Sequence, residues 1–152
     1  MLLRVVLVAQ AGEDLTNPPG RDLLASSEHT FADLARAIDR AFARWDISHL
    51  HEFQLADGTR IASADEDETD EAALDDTIET LGRLRGRPGT SFGYVFDFGA
   101  GWGHRCTVLR DALNPREELG AIPKEITPVF GWGTIPDQYG RIAPDADDPT
   151  LE

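Results

Sequence analysis

The chain has 152 residues, 41% of them apolar, and a formal net charge of −14. A chain of this length fits one domain that buries roughly 70% of its unfolded surface without disulfides, and the lone Cys106 leaves no internal disulfide to form, which points to the cytoplasm. The negative charge argues against nucleic acid and anionic membranes as partners, because proteins normally bind both with clustered lysine and arginine.

The first strand is predicted over residues 2–10. Its sequence, LLRVVLVAQ, is a short run of mostly apolar and β-branched residues with Arg4 inside it. This pattern is typical of a central strand rather than of a signal peptide. The turn-forming sequence NPPG follows at 17–20, so we expect the segment RDLLAS to return antiparallel to the first strand.

A principal helix is predicted over residues 31–44. Thr30 and Asp33 have the spacing of a capping box, in which each side chain accepts a hydrogen bond from the other residue's backbone. Apolar residues recur at intervals of three and four, as on one face of a helix. These residues are Phe31, Leu34, Ile38, Phe42 and Trp45. We expect this face to pack across one side of a sheet.

A hairpin is predicted next, with strands near 50–56 and 59–62 and Asp57-Gly58 at the turn. Nine acidic residues and no basic residue then lie between Arg60 and Arg83, which indicates a solvated, mobile loop. Residues 74–84 fit either a helix or a short strand, and their β-branched residues slightly favour the strand.

Residues 92–98 and 104–110 are predicted to be paired strands. Side chains alternate along a strand, so Phe92, Tyr94, Phe96 and Phe98 share one face and Asp97 lies on the other. A connecting loop of two or four residues would place His104 opposite Asp97, away from the aromatic row, whereas a three-residue loop would separate the two. The pair would either orient an imidazole for chemistry or fix the strand register.

Together these elements predict an α+β fold. We expect a mixed or antiparallel sheet with one principal amphipathic helix packed on one face, in a layout compatible with a β-grasp. Residues 1–113 form the core domain in this interpretation. Residues 114–152 form an extension rich in proline and glycine that docks on the core and ends in a frayed acidic segment.

Histidine, aspartate and tryptophan cluster in two short motifs, WDISHLH and FDFGAGWGH, and these supply the candidate ligand-binding residues. The candidates are Trp45, His49, His51, Asp97, Trp102 and His104. We interpret them as one face of a non-catalytic domain that binds a protein or small-molecule ligand without a cofactor. A purely structural role for both motifs is an alternative.

A second alternative is a hydrolase that depends on a divalent metal ion. His49 and His51 would project from the same face of a strand, and with His104 they could supply three metal ligands if their strands are neighbours. Glu52 or Asp97 would then serve as the base.

The glycines of FDFGAGWGH do not fit a phosphate-binding loop, because a strand-like segment without lysine follows them rather than a helix. The sequence also lacks the Gly-x-Ser-x-Gly motif of a nucleophilic serine, and Cys106 lies in the middle of a predicted strand, where a thiol is usually inert. These features favour the non-catalytic interpretation.

The segments TFADLARAIDRAFARWDISHLHEF and RPGTSFGYVFDFGAGWGH, with an acidic loop between them, closely resemble the plasmid pRi open-reading-frame-three-like family. The resemblance covers roughly residues 1–113 and implies an α+β sandwich with a mixed or antiparallel sheet. Members are often described as mobile-element passenger proteins of largely unknown function. The family commonly has a second acid where this chain has Ala100, so the resemblance implies fold more than chemistry.

Overall fold

The computed structural model describes residues 1–63, 73–113, 115–121 and 123–141. Most of the predicted acidic loop falls on residues 64–72, and the predicted frayed C-terminus falls on 142–152. Both lie outside the described residues.

A mixed sheet is the centre of the fold. Its strands in the described residues are β1 (Leu2–Gln10), β2 (Glu13–Asp14), β3 (Gly20–Leu24), β4 (His51–Gln54), β5 (Arg60–Ala62), β6 (Ala73–Asp75), β7 (Ser91–Phe96), β8 (Trp102–Arg110) and β9 (Thr127–Trp132). Their order is β6-β5-β4-β7-β8-β1-β3-β9, with β2 paired to β1. β5 and β6 are parallel, whereas β3 returns antiparallel to β1. The mixed sheet and the return of β3 confirm the predictions.

One principal helix, α1 (Phe31–Ala41), covers one face of this sheet. The backbone N–H of Asp33 donates to Thr30 Oγ1 at 3.1 Å, and the N–H of Thr30 donates to Asp33 Oδ2 at 2.9 Å, so the predicted capping box is present. Phe31, Leu34 and Ile38 are fully buried against the strands. The α+β fold with one principal helix is therefore confirmed. A short helix, α2 (Pro115–Leu119), and a 3-10 turn (Leu81–Leu84) complete the described helical elements, and the turn buries Leu81 and Leu84 in the core.

The helix ends three residues earlier than predicted. A Schellman motif stops it: the N–H of Ala43 donates to the carbonyl of Arg40 and the N–H of Arg44 donates to the carbonyl of Asp39. Ala43 takes the left-handed conformation that this motif requires, with φ 57°. Trp45 therefore leaves the buried stripe and is 56% exposed.

The strand favoured for residues 74–84 is wrong beyond Asp75. The Asp75 side chain accepts hydrogen bonds from the N–H and the hydroxyl of Thr77, and its carbonyl accepts from the N–H of Ile78, which closes a turn directly after β6. Ile78 is consequently exposed. Two of the β-branched residues that suggested a strand, Thr77 and Ile78, lie in this turn, and Thr80 forms an isolated bridge with Thr30.

The predicted register between β7 and β8 is also wrong. Tyr94 lies opposite His104 and Phe96 opposite Trp102, so five residues connect the strands. Asp97 does not continue β7, because it turns into the left-handed region with φ 58° and its carbonyl accepts the N–H of Gly101. The odd loop length puts His104 on the same buried face as the aromatic row rather than opposite Asp97.

Residues 127–132, which the sequence assigned to the C-terminal extension, form edge strand β9 on β3. The indole of Trp132 lies over the backbone of Gly20, where a Cβ would come within 2.1 Å of the ring. None of the helices in the described part of the chain is long and apolar enough to cross a membrane.

Candidate functional site

Three segments meet at one end of the sheet: the loop from α1 to β4, the turn from β7 to β8, and residues 134–141. They bring together Trp45, Asp46, His49, Asp97 and Tyr139, which we call the exposed cluster. His49 is at its centre, with Nε2 2.8 Å from the hydroxyl of Tyr139 and Nδ1 3.5 Å from Asp97 Oδ2. The Tyr139 hydroxyl donates to Asp46 Oδ2 at 2.5 Å. The exposed cluster is therefore a connected set of surface groups, in which Trp45 and Tyr139 are exposed and Asp46, His49 and Asp97 are half-buried.

Trp45 forms the aromatic side of the exposed cluster. The ring of Tyr139 meets it edge-on at 5.2 Å between centroids. The guanidinium carbon of Arg141 lies 4.9 Å from the Trp45 ring centroid, within cation–π range. Arg141 is also paired with Asp137, its Nη2 lying 2.7 Å from Oδ1. The Trp45 ring is thus already in contact with a cationic side chain of the same protein.

Hydrogen bonds fix the protonation of two members of the exposed cluster. The hydroxyl of Ser48, followed by that of Tyr139, lowers the pKa of Asp46 to about 2. The Asp46 carboxylate in turn raises the pKa of Tyr139 to about 12. Asp46 is consequently charged and Tyr139 neutral at any pH near 7.

Gln138 attaches residues 134–141 to the loop after α1. Its Oε1 accepts the N–H groups of Trp45 and Asp46, both at 3.1 Å, and its Nε2 donates to the carbonyl of Asp46 at 2.7 Å. Sequence reasoning missed Asp46, Gln138 and Tyr139 as site residues. No spacing in the sequence links positions 45–49 to 138–139, so only the tertiary structure shows the contact.

Two of the predicted site residues, Trp102 and His104, lie inside the core rather than at the surface. His104 Nδ1 is 3.0 Å from the carbonyl of Tyr94. Burial, together with the nearby Arg44 guanidinium, lowers the pKa of His104 to about 3. His104 is therefore a neutral imidazole at ordinary pH.

His51 is half-buried and has its own carboxylate partner. Its Nε2 lies 2.7 Å from Oδ2 of the buried Asp76, and its ring lies 5.9 Å from that of Tyr94. Asp76 follows directly on β6, and its N–H donates to the carbonyl of Ala62. The pair therefore links β4 to the segment after β6.

The predicted three-histidine metal site is not formed, because His49, His51 and His104 each face a different partner. His49 lies among the carboxylates of the exposed cluster, His51 bonds Asp76, and His104 bonds a main-chain carbonyl in the core. Within the described residues, no three histidine, cysteine or acidic side chains are grouped so that they could hold a metal ion.

A buried acid that sequence reasoning missed lies between α1 and the sheet. Both carboxylate oxygens of Asp39 accept from the hydroxyl of Tyr94 at 3.0 Å. Burial raises the pKa of Asp39 to about 6, and the charge of Arg44 opposes that rise. The position of Asp39, one helical turn after the buried Ala35, could have indicated that it is buried. An acidic residue beside an apolar stripe is usually solvated, however, so the sequence did not single it out.

The fold and the exposed cluster define an α+β protein with one principal helix and an accessible acidic and aromatic surface. The family model described as plasmid pRiA4b ORF-3-like protein matches residues 13–126. The chain belongs to this family, as its sequence motifs predicted.

The fold is also similar to the crystal structure of a protein of unknown function from Methanosarcina mazei Go1, with a TM-score of 0.58 and 19% sequence identity. The match covers 85% of this chain and 61% of that chain, so this chain spans less than two thirds of its relative. At this identity the similarity shows the fold alone. The comparison with curated proteins found no match.

Proposed function

We propose that the protein is a non-catalytic binding domain whose recognition surface is the exposed cluster, and that its ligand presents a cationic group such as an arginine side chain of a partner protein. One observation carries the proposal: the exposed Trp45 ring already holds the guanidinium of Arg141 at 4.9 Å. The ring therefore accepts a cation in a geometry that an incoming side chain could reproduce.

The charges around Trp45 support the same ligand class. Asp46 and Asp97 place two carboxylates on either side of His49, and the net charge of −14 attracts basic partners over a longer range. Carboxylates are also the groups that pair most strongly with guanidinium. An acidic ligand would meet repulsion at this surface.

Several features support a binding role over a catalytic one. Asp46 and Tyr139 have pKa values far from 7, which makes them poor proton carriers at neutral pH. Cys106 is fully buried and burial raises its pKa well above the ordinary value, so its thiol is not a nucleophile.

Titration of the protein with a short blocked peptide containing one arginine, followed by NMR, tests the proposal. We expect the peptide to shift the indole N–H resonance of Trp45, and Trp45→Ala to weaken binding by about two- to fivefold, the size of one exposed cation–π contact. Trp132→Ala is the matched control, because Trp132 is partly exposed and also lies beneath an arginine, Arg4, at 4.9 Å. Equal weakening by both variants would contradict the proposal.

A purely structural role is the second candidate, and the hydrogen bonds of Gln138 and Tyr139 favour it because they tie residues 134–141 to the loop after α1. Tyr139→Phe separates the two functions, since it removes the bond to Asp46 but keeps the ring against Trp45. If the cluster is only structural, this variant melts at a lower temperature and no peptide shifts the Trp45 resonance in either protein.

A further inference from the structure

We propose that the core holds a binding site for a small, singly charged oxyanion that retains a proton, such as dihydrogen phosphate or bicarbonate. Its binding groups are Arg44, Trp102 and His104, which we call the Arg44 site. This inference does not depend on the exposed cluster, which binds a ligand of opposite charge.

Arg44 is buried without a hydrogen-bonded or ion-paired partner in the part of the chain that the structure describes. Arg44 is only 7% exposed, and within the described residues its guanidinium makes neither a hydrogen bond nor an ion pair. Its guanidinium carbon lies among three rings, 5.3 Å from Phe42, 5.6 Å from Phe96 and 5.5 Å from Trp102. Aromatic faces attract the charge, but they do not accept its N–H groups as an oxygen atom would.

The position of Arg44 is set by the end of α1. Arg44 directly follows the left-handed Ala43 in the Schellman motif, and its backbone N–H donates to the carbonyl of Asp39. That position commonly makes an apolar contact back to the helix, whereas here Arg44 and Asp39 are both charged and both buried. The carboxylate of Asp39 bonds Tyr94 instead of Arg44, so no acidic side chain of the described residues contacts the guanidinium.

Three buried nitrogen atoms, on side chains that pack together, have no hydrogen-bond partner among the described residues: Arg44 Nη1, Trp102 Nε1 and His104 Nε2. Arg44 and His104 both contact the ring of Phe42, at 5.3 and 5.2 Å. Trp102 and His104 are two residues apart on β8 and therefore share its buried face. Buried polar atoms are rarely left unpaired, so a cluster of three indicates a missing bonding group.

The chemistry of the three nitrogens defines what that group must offer. Arg44 and Trp102 are donors only, so the group needs acceptor oxygens. His104 Nδ1 faces a carbonyl, which only accepts, and therefore carries the ring's proton; Nε2 is then an acceptor that needs an O–H. A water molecule could meet these bonds, but an anion would also give the guanidinium a negative charge in direct contact, which the Asp39 carboxylate, bonded to Tyr94, does not provide. Dihydrogen phosphate and bicarbonate supply acceptors, an O–H and one negative charge.

NMR and thermal melting of the full chain near pH 7, in inorganic phosphate or bicarbonate against chloride of equal ionic strength, test the proposal. We expect both anions to raise the melting temperature and to shift the indole N–H resonance of Trp102. Arg44→Met should weaken binding about tenfold or more, as loss of a charged hydrogen bond does. Arg40→Met is the matched control, because Arg40 lies at the same end of α1 but is exposed and bonds Glu125; its anion affinity should equal that of the wild type.

His104→Asn and acetate test the need for an O–H. Asparagine can still donate to the Tyr94 carbonyl but lacks the Nε2 acceptor, so we expect it to weaken phosphate binding by about threefold or more. Acetate, which has no O–H near pH 7, should bind more weakly than phosphate to the wild type. Equal binding of acetate would overturn the proposed ligand class. A Trp102 resonance that stays fixed at saturating phosphate would overturn the site itself and leave an adventitious ion only, whether or not Arg44→Met folds.

Discussion

At the scale of single residues, the core of this protein combines aromatic packing with ionisable groups that depart from their ordinary behaviour. Asp39 and His104 are both buried beside Tyr94, and burial moves their pKa values in opposite directions, to about 6 and about 3. Both shifts favour the neutral form of the side chain, as desolvation requires. Arg44 keeps its charge, because burial lowers its pKa only to about 10.

The lowered pKa of His104 predicts how the free energy of unfolding depends on pH. The pKa of His104 is 6.5 when unfolded and about 3 when folded, so the unfolded chain binds the proton more tightly and acid destabilises the fold. Above pH 6.5 His104 is neutral in both states and does not lower the free energy of unfolding. As the pH falls from 6.5 toward 3, only the unfolded chain takes up the proton, so the free energy of unfolding decreases. His104→Asn cannot titrate, so wild type should lose roughly 3 kcal/mol relative to this variant between pH 7 and pH 4, at about 1.36 kcal/mol per pKa unit.

Urea denaturation of both proteins at a series of pH values measures this difference. Asp39 titrates in the same range but is present in both proteins, so its effect cancels in the comparison. A difference in unfolding free energy that stays constant from pH 7 to pH 4 would contradict the neutral, buried state of His104.

At the scale of elements, the end of α1 determines where the site residues lie. The Schellman motif turns Arg44 into the core and Trp45 out to solvent, so one change of backbone direction separates the Arg44 site from the exposed cluster. The five-residue turn after β7 has a similar effect, since it places Asp97 at the surface and His104 in the interior.

Ala43→Gly tests the helix end. Ala43 is exposed and takes φ 57°, a conformation that costs an L-residue with a Cβ roughly 1–2 kcal/mol, which glycine avoids. Since glycine also gains entropy in the unfolded chain, we expect a net stabilisation of about 0.5–1 kcal/mol in urea denaturation. Ala41→Gly, inside the last turn of the same helix, should instead destabilise by about 1 kcal/mol. Loss of stability in both variants would show that the left-handed residue is not at position 43.

The sequence predicted the elements that have a regular period far better than it predicted their connections. The apolar, β-branched run of β1 and the capping box with its apolar stripe in α1 depend on neighbours within a few residues, and both were confirmed. The loop length after β7 depended on Asp97 adopting a left-handed conformation, which is uncommon outside glycine. One such residue changed the register and moved His104 to the opposite face.

At the scale of the whole molecule, the contacts that build the candidate site span the chain. Gln138 and Tyr139 lie about ninety residues after Trp45 and His49, and β9 joins the same sheet as β1 through β3. Local patterns cannot predict such contacts, because no periodicity relates the two segments. Of the six predicted site residues, the structure brings only Trp45, His49 and Asp97 together at the surface.

Arg141 already occupies the position at Trp45 that a cationic ligand would take. Arg141 occupies the Trp45 ring and pairs with Asp137, so it competes with any cationic ligand for the same position. The effective concentration of a group on the same chain is high, which would lower the apparent affinity for an outside ligand.

The affinity of the arginine peptide for Arg141→Ala, compared with that for the wild type, tests whether the exposed cluster recognises cationic groups. Removing the internal cation should strengthen peptide binding by at least about twofold, the size of one exposed cation–π contact, and Trp45→Ala in the same variant should abolish the gain. Binding that is unchanged or weaker in Arg141→Ala would contradict the assignment of the exposed cluster as a recognition surface for cationic groups.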